Sequence, residues 1–258
     1  MSARRHRPTF AWFPLVATAS LAACAGTEVT TQFGWARSEL GGDLALSESE
    51  TAATVQDVGS AFGLGDAHGS PFARVVAARD GFVFSASGFW LRDSGAGVLA
   101  ESFGGLPAAT PVTSDIELGV VQLAGAYEFA LGPVTLAPGL AFDVFALDFR
   151  VEESPGNREE IDEILGLPLP FVRAELPTPL HGLRAIGEVG WLDLGLLGGD
   201  DQRFLDLHAQ LEWHPGGQGH FFAGYRRLQV DAEGDSAPDT VLLDLYLHGW
   251  FVGVGFSF

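Results

Sequence analysis

The chain has 258 residues, with 33 acidic and 14 basic side chains, and none of the basic ones is a lysine. The net charge of −19 disfavours nucleic acid as a partner, and the lack of lysine excludes a Schiff-base lysine and a phosphate-loop lysine. Cys24 is the single cysteine, so no intramolecular disulfide can form.

The first 23 residues have the pattern of a secretory signal peptide. Arg4, Arg5 and Arg7 precede an apolar run from Phe10 to Ala23. A positive amino-terminal region followed by a short apolar stretch is typical of a segment that directs secretion and is then removed. We therefore expect residues 1–23 to lie outside the folded domain.

The end of this run, Leu21 to Cys24, resembles the lipobox of bacterial lipoproteins. In that family the cysteine sulfur is diacylated and the cysteine becomes the new amino-terminus. The resemblance implies lipidation of Cys24, a tether over residues 24–29, and passage to the outer membrane because Ala25 follows rather than aspartate. The alternative is ordinary cleavage, since Ala23, Cys24 and Ala25 also fit the small-residue pattern of a non-lipidated signal.

Residues 30–258 are predicted to form a single all-β domain of about ten strands, within a range of about 8 to 12. Alternating apolar stretches of about ten residues, separated by turn formers, are typical of membrane-spanning strands. The predicted strands are Thr30–Ser38, Phe72–Ala78, Phe82–Arg92, Asp115–Ala130, Val134–Arg150, Leu169–Leu176, Leu183–Leu194, Arg203–His214, Phe221–Val230 and Val241–Phe258.

The predicted connections alternate between long and short along the chain. The long ones are 39–71, 93–114, 151–168, 195–202 and 231–240. The short ones are 79–81, 131–133, 177–182 and 215–220. Outer-membrane barrels have short periplasmic turns and longer outer loops, so this order predicts a transmembrane antiparallel up-and-down β-barrel with its amino-terminus in the periplasm.

The carboxy-terminal segment carries the most specific signal. Its large apolar side chains share one parity, and Gly253, Gly255 and Ser257 share the other. The large ones are Trp250, Val252, Val254, Phe256 and Phe258. The segment resembles the closing strand of Gram-negative outer-membrane β-barrels, which commonly end in an aromatic residue read by the barrel-assembly machinery. The resemblance implies an outer-membrane location, with membrane lipid and that machinery as partners.

Charged residues on the inward parity predict a polar interior. Buried charges must be paired or wet, and a barrel of this size has a lumen that side chains nearly fill. We therefore expect a network of paired charges that plugs the lumen. Its expected members are Arg173, Glu175, Arg184, Glu188, Asp206, His208, Glu212 and Asp244. Other charged residues expected to face inward are Arg74, Glu117, Asp143, Asp148, Arg150 and Arg226.

Two strands break the simple alternation. Within Asp115–Ala130, the polar parity of Asp115 and Glu117 passes into that of Gln122, which predicts a bulge. In the closing strand the apolar parity switches near Gly249. This switch predicts that Asp244, Tyr246 and His248 point inward, with Val241, Leu243, Leu245 and Leu247 on the outer side.

His208 with Asp206, Glu188 and Asp244 is the cluster that most resembles a catalytic or metal site. No serine or cysteine nucleophile accompanies it, so a structural histidine in the lumen is the favoured interpretation. His214 and His220 flank a tight turn but offer too few ligands for a metal. We therefore expect no catalytic residue, no metal and no cofactor.

Two acidic segments are expected to be solvated loops. The run from Glu159 to Glu163 lacks the ligand spacing of a calcium loop. Asp200 and Asp201 resemble the acidic outer-rim sites of omptin proteases, but no histidine on a neighbouring rim position completes such a site.

The first long connection, Gly41 to Ser70, could contain a short amphipathic helix that caps the barrel mouth or lies at the interface, since Ala53, Val55, Val58, Ala61 and Phe62 have helical spacing. An unstructured loop is the alternative.

Together these patterns predict an outer-membrane barrel, lipidated at its amino-terminus, with a charge-plugged interior and a non-enzymatic role at the cell surface. Its surface ligand is unknown. A narrow cation-preferring channel is the first alternative, because carboxylates outnumber arginines on the inward parity. A barrel enzyme acting on lipid or peptide is the second.

Overall fold

A computed structural model of the chain describes residues 26–48, 54–153, 156–195, 202–236 and 239–258. The predicted signal peptide, Cys24, Asp200 and Asp201 lie outside these ranges. No helix within them is long and apolar enough to cross a membrane.

The described residues form a closed antiparallel β-barrel of ten strands, as the sequence predicts. The strands are β1 (Glu28–Glu48), β2 (Gln56–Asp57), β3 (His68–Arg79), β4 (Phe82–Val98), β5 (Pro111–Tyr127), β6 (Phe129–Leu131), β7 (Val134–Glu153), β8 (Arg158–Pro177), β9 (Leu183–Asp193), β10 (Arg203–Trp213), β11 (Gly219–Ser236) and β12 (Asp239–Ser257). A short helix, α1 (Val58–Phe62), lies between β2 and β3. The short strands β2 and β6 pair with β1 and β7 and do not complete the ring.

Pairing of the first and last strands closes the barrel. β12 pairs with β1 along its whole length, from Thr30 opposite Ser257 to Glu48 opposite Asp239. Phe258 completes the ladder, because its backbone N–H donates to the carbonyl of Val29 over 2.9 Å. Since every strand of the ring has two neighbours, the lower part of the barrel presents no open edge.

The two ends of the barrel differ. The lower end carries the start of β1, the end of β12 and the short turns, of which Asp80-Gly81 is an example. Both turn residues have positive φ, 51° and 82°, as a two-residue hairpin turn requires. The upper end carries the longer connections. The strands extend further towards it than predicted, so that β1 ends at Glu48 and β8 begins at Arg158.

The predicted loop at Glu159–Glu163 is therefore wrong, because this run lies within β8. Its side chains alternate between the two faces. Glu160, on the outer face, is contacted by Arg150 of β7 and by Arg158. Ile161, on the inner face, is buried. A strand whose outer face meets water can be strongly acidic on that face without losing its pairing.

Both predicted breaks in parity are also wrong. In β12 the buried residues Val241, Leu245, Leu247 and Phe251 all share one parity. Asp244 therefore faces outward and is not a member of any interior network. In β5, Ile116, Leu118, Val120 and Gln122 are buried on a single continuous parity, so Glu117 faces outward as well. Asp148 and Arg150 of β7 also face outward, and their side chains form an ion pair at 2.8 Å.

The upper interior is an apolar core that is closed by a lid. We call α1 and the connection 99–110 the lid. Phe62 of α1 and Phe103 are fully buried, and each packs edge-on against Phe149 of β7, with ring centroids 5.1 and 5.9 Å away. The helix that the sequence allows in this connection is thus present over Val58–Phe62, after Val55, whereas Ala53 lies outside the described residues. The lid lies close to β4, where a Cβ at Gly97 would come within 2.2 Å of the carbonyl oxygen of Ala61, so only glycine fits.

Large apolar side chains on the lower and middle outer surface form an exposed belt. It includes Phe33, Trp35, Phe84, Leu123, Tyr127, Leu140, Phe142, Trp191, Leu211, Trp213, Phe221, Trp250, Val252, Val254, Phe256 and Phe258. A continuous apolar belt with aromatic residues at its edges is what a strand surface facing hydrocarbon requires. Above the belt the outer face turns charged, as at Arg92, Glu117 and Asp148.

Candidate functional site: the barrel interior

The lower and middle interior holds a network of buried charged and amide side chains, which we call the polar network. Its members are Gln32, Arg74, Gln122, Asp143, Arg173, Glu175, Arg184, Glu188, Asp206, His208, Gln210, Glu212, His214, His220 and Arg226. They reach the interior because strand residues alternate between the two faces of the wall.

Glu188 of β9 is the centre of the network. Its carboxylate accepts hydrogen bonds from Arg173 of β8 and from Arg74 of β3. It also lies 3.1 Å from Nδ1 of His208, and Arg74 in turn lies 2.9 Å from the same nitrogen. Since Glu188, Arg74 and His208 are all buried, these contacts replace the water that the groups lose.

The pair between Arg74 and Glu188 crosses the whole lumen. β3 and β9 are opposite each other in the ring, separated by β4, β5, β7 and β8 on one side and by β1, β12, β11 and β10 on the other. This side-chain contact between opposite walls divides the lumen at that level.

A second branch lies nearer the lower end, around Glu212 of β10. Glu212 accepts hydrogen bonds from Gln32 of β1 over 2.6 Å, from Gln210 over 2.7 Å and from Arg184 of β9. Arg184 also contacts Glu175 at 3.5 Å, and Glu175 accepts from Arg173, so this branch joins the one around Glu188. A partly desolvated carboxylate with several donors is well satisfied.

A third branch lies around Asp206, also on β10. Its carboxylate accepts from Arg226 of β11 over 2.9 Å and from Gln122 of β5 over 2.8 Å. The guanidinium of Arg226 also lies over the ring of Phe89, 5.0 Å from its centroid. Asp143 of β7 is fully buried close by.

The structure thus brings Arg173, Glu175, Arg184, Glu188, His208 and Glu212 into one set of linked contacts, and Asp206 into a neighbouring set. Asp244 is the exception, as described above. The interior partners Gln32, Gln122 and Gln210 were missed in the sequence because only charged residues were followed. Their inward parity was the signal that could have found them.

Inward glycines in β12 make room for this packing. A Cβ at Gly255 would lie 2.2 Å from Nε2 of His220. The rings of His214 and His220 stack with their centroids 4.6 Å apart. Among the described residues, no group of three His, Cys, Asp or Glu side chains is arranged to hold a metal ion.

Sequence reasoning also missed a histidine–aspartate pair at the upper mouth. Nε2 of His68, at the start of β3, lies 2.7 Å from Oδ1 of Asp93 on β4. The other oxygen of Asp93 accepts from the backbone N–H of Gly65 over 2.9 Å. The pair therefore ties the end of the lid to the wall. A separation of 25 residues in the chain, with the register between β3 and β4 unknown, hides this contact in the sequence.

Above the polar network the interior changes character. A small cavity of about 50 Å³ lies among apolar side chains of opposite walls, and we call it the apolar chamber. Its inward lining residues are Leu40, Leu118, Phe145, Leu147, Glu163, Leu165, Leu228, Val230, Leu243, Leu245 and Leu247. Glu163 is the one charged side chain among them.

Comparisons with known proteins give a match in fold and none in sequence. No protein-family model matches the chain, and no curated protein matches it in sequence. Among solved structures, the outer-membrane protease OmpT from Escherichia coli superposes with a TM-score of 0.54 and 8% identity, over 90% of this chain and 97% of OmpT.

Two smaller barrels also match. Ail, the attachment invasion locus protein of Yersinia pestis, has a TM-score of 0.38 and 12% identity, over 90% of this chain and 99% of Ail. Neisserial surface protein A has a TM-score of 0.37 and 12% identity, over 89% of this chain and 97% of its own. On the OmpT superposition the chain has the fold of Gram-negative outer-membrane β-barrels, and at 8% identity the similarity shows the fold alone.

Proposed function

We propose that the chain is a closed, non-conducting barrel of the bacterial outer membrane with a non-enzymatic role in the cell envelope. The observation that carries this proposal is the contact between Arg74 and Glu188 across the full lumen. The lid provides a second closure at the upper mouth, where Phe62 and Phe103 are fully buried. A barrel closed at two levels supports a structural or surface-displaying protein better than a pore.

The orientation follows from the same asymmetry. We propose that the lower end faces the periplasm, because it carries the short turns and both ends of the barrel domain. The lid and the charged outer surface above the apolar belt then face the cell exterior. The exposed residues Trp250 to Phe258 would be read by the assembly machinery in the periplasm, and a Phe258→Ala variant is expected to reach the membrane less efficiently.

We also propose an acyl anchor at Cys24, which lies shortly before β1 begins at Glu28. Acyl chains there would enter the periplasmic leaflet beside the lower end of the barrel. Metabolic labelling with a radioactive fatty acid tests this anchor. Labelling that persists in a Cys24→Ala variant would refute it, whereas loss of labelling with unchanged barrel assembly is expected.

Planar-bilayer recording tests the closed barrel. We expect no stepwise conductance from the purified protein, and none from a Glu188→Gln or Asp206→Asn variant, because the lid still closes the upper mouth. Cation-selective steps in the unaltered protein that shrink in either variant would overturn the proposal in favour of a narrow channel. Heat-dependent migration on denaturing gels controls for folding of each protein.

Hydrolysis at the upper mouth is a second candidate function, and the pair of His68 with Asp93 favours it. A histidine held by a carboxylate can act as a general base, and the His68 side chain is 38% exposed. Incubation with a mixed peptide library tests this candidate. Cleavage that is lost in His68→Ala but kept in His181→Ala, a histidine in a lower turn, would support it, and absence of cleavage would eliminate it.

A further inference from the structure

Asp143 of β7 is the one carboxyl group of the polar network that accepts no hydrogen bond from a described residue. Its side chain is fully buried, and neither of its oxygens has a donor. Its cross-strand neighbours are Gln122 of β5 and Leu167 of β8. The next inward residues of β7, Ala141 and Phe145, are buried and apolar. An ionised carboxylate that is shielded from solvent and has no donor is prohibitively costly.

The nearest donors to Asp143 are already bonded to Asp206 of β10. Gln122 donates its side-chain N–H to Asp206 over 2.8 Å. Arg226 of β11 donates to the same carboxylate through Nε over 2.9 Å and also through Nη2. Asp206 is therefore satisfied as an anion, whereas Asp143, which lies beside it, is not. This part of the interior thus holds two carboxyl groups and a single guanidinium.

The other groups around Asp143 do not supply the missing positive charge. On β10, His208 is the next inward residue, but its Nδ1 lies 3.1 Å from Glu188 and 2.9 Å from Arg74. Glu188 of β9 is itself a carboxylate, and it takes up the charge of Arg74. On β8 the residue opposite Asp143 is Leu167, which carries no charge. Among the described residues near this carboxyl group, every guanidinium is therefore already paired.

We propose that Asp143 and Asp206 form an acid pair that holds one proton at neutral pH. The proton lies on Asp143, whose O–H donates to the carboxylate of Asp206. Two adjacent carboxyl groups that share a single cation do not both ionise, and a shared proton is the usual outcome. A proton needs no cavity and no further ligands, so it suits the complete burial of Asp143. This inference goes beyond the proposed function, since a closed barrel does not require a titratable interior.

The bound proton reserves Arg226 for Asp206. When the proton leaves, Asp143 becomes a second anion beside the same guanidinium, and the bonds that join β5, β10 and β11 weaken. Because the unfolded chain does not hold this proton at neutral pH, the stability that the proton contributes is lost as the pH rises.

Few other groups obscure this effect. The chain has no lysine, and its three tyrosines, Tyr127, Tyr225 and Tyr246, have outward parity. Most side chains therefore keep their charge between neutral pH and about pH 9.

Infrared spectroscopy tests the acid pair in the full-length protein. The protein is kept in an alkyl glucoside detergent, which has no carbonyl group, so that the C=O stretch of a protonated carboxyl is not hidden by lipid esters. At neutral pH we expect an acid carbonyl band that is lost in Asp143→Asn. The control is Asp148→Asn, on the outer face of the same strand, which is expected to keep the band. Equal bands in the unaltered protein and in Asp143→Asn would overturn the proposal.

A sodium ion is the rival occupant, because it carries the same charge. Spectra are therefore recorded in sodium chloride and in choline chloride at the same concentration, and we expect the same band in both. A band that is present only in choline chloride would assign the site to sodium and overturn the proposal.

Asp206→Asn is the second variant. It leaves Arg226 to Asp143, so Asp143 ionises and the acid band is expected to disappear. A band that persists in Asp206→Asn would contradict a pair.

Heat-dependent gel migration verifies the fold of each variant and tests the consequence of proton loss. We expect the unfolding temperature of the unaltered barrel to fall between neutral pH and about pH 9. A smaller fall is expected in Asp143→Asn, because its amide can donate to Asp206 at any pH. Equal falls in the two proteins would contradict the effect on stability. Conductance is recorded separately, since steps at neutral pH would contradict the proposed function and leave the infrared band as the test of the acid pair.

Discussion

The lower and upper halves of the barrel use the same strands with opposite chemistry. In the lower half the outer face is apolar and the inner face is polar, as at Val252 and Glu188. In the upper half the outer face is charged and the inner face is apolar, as at Asp244 and Leu245. The chain alternates without interruption through both. Along each strand the solvent outside the barrel changes, whereas the alternation of the side chains between the two faces does not.

This inversion explains both mistaken parity switches. A reader who follows polarity down β12 sees Asp244, Tyr246 and His248 on the parity that later carries Trp250 and Val252. Polarity alone therefore indicates a slip of one residue. The pairing with β1 shows none, since the register runs in single steps from Leu243 opposite Leu44 to Gly255 opposite Gln32. A pattern that inverts marks the level at which the strand leaves the membrane.

The largest expected effect is in the lower half, at Glu188. Glu188→Ala leaves Arg74 and Arg173 buried without their shared partner, and breaking a buried ion pair in this way costs about 3–5 kcal/mol. Urea unfolding in lipid vesicles, followed by tryptophan fluorescence, measures the loss. The control is Glu160→Ala on the outer face, where exposed pairs contribute about 0–1 kcal/mol. Equal losses in the two variants would show that the network is not buried.

The next largest loss of stability is expected in the lid, in the upper half of the barrel. Phe62→Ala removes a fully buried ring from its packing against Phe103 and Phe149, and such truncations cost about 3–5 kcal/mol of local stability. Because the lid can open without the barrel, we expect faster proteolysis within 54–67 and a much smaller shift of the global unfolding midpoint. Val55→Ala, at an exposed position of the same segment, is the control. A lid that is cleaved equally in both variants would contradict the closure.

The inversion itself is tested at two adjacent residues of β12. Leu245→Asn places an amide in the apolar chamber, at a cost of about 2–3 kcal/mol from lost burial and an unsatisfied polar group. Asp244→Asn, on the outer face, is expected to change stability by about 0.5 kcal/mol or less. The same urea titration compares the two. A larger loss of stability in Asp244→Asn than in Leu245→Asn would support the parity switch that the sequence predicted.

The sequence was sufficient for the architecture and for part of the interior. Turn residues and the closing strand predicted ten antiparallel strands, because period-two alternation is local information. The same alternation identified Glu188 and His208 as inward residues. It could not identify the partner of Glu188 on the opposite wall, since the distance in the chain between Arg74 and Glu188 is large. Nor could it show that β8 pairs with β9 only up to Phe171, which depends on where β9 ends.

The smallest predicted effect concerns the helix cap of the lid, and it gives the upper half a dependence on pH. Asp57 accepts hydrogen bonds from the backbone N–H of Ser60 over 2.7 Å and from its hydroxyl, and these bonds lower the pKa of the Asp57 carboxyl below its ordinary value. The stabilisation is therefore complete above the ordinary pKa and is lost as the pH falls through the lowered one. Asp57→Ala removes about 1 kcal/mol of lid stability at neutral pH. We expect proteolysis of the lid by pepsin, measured relative to an unfolded substrate at the same pH, to rise only as the pH falls below about 4 in the unaltered protein, and to be high throughout in the variant. A rise of the same size in both would assign the pH dependence to other carboxyl groups.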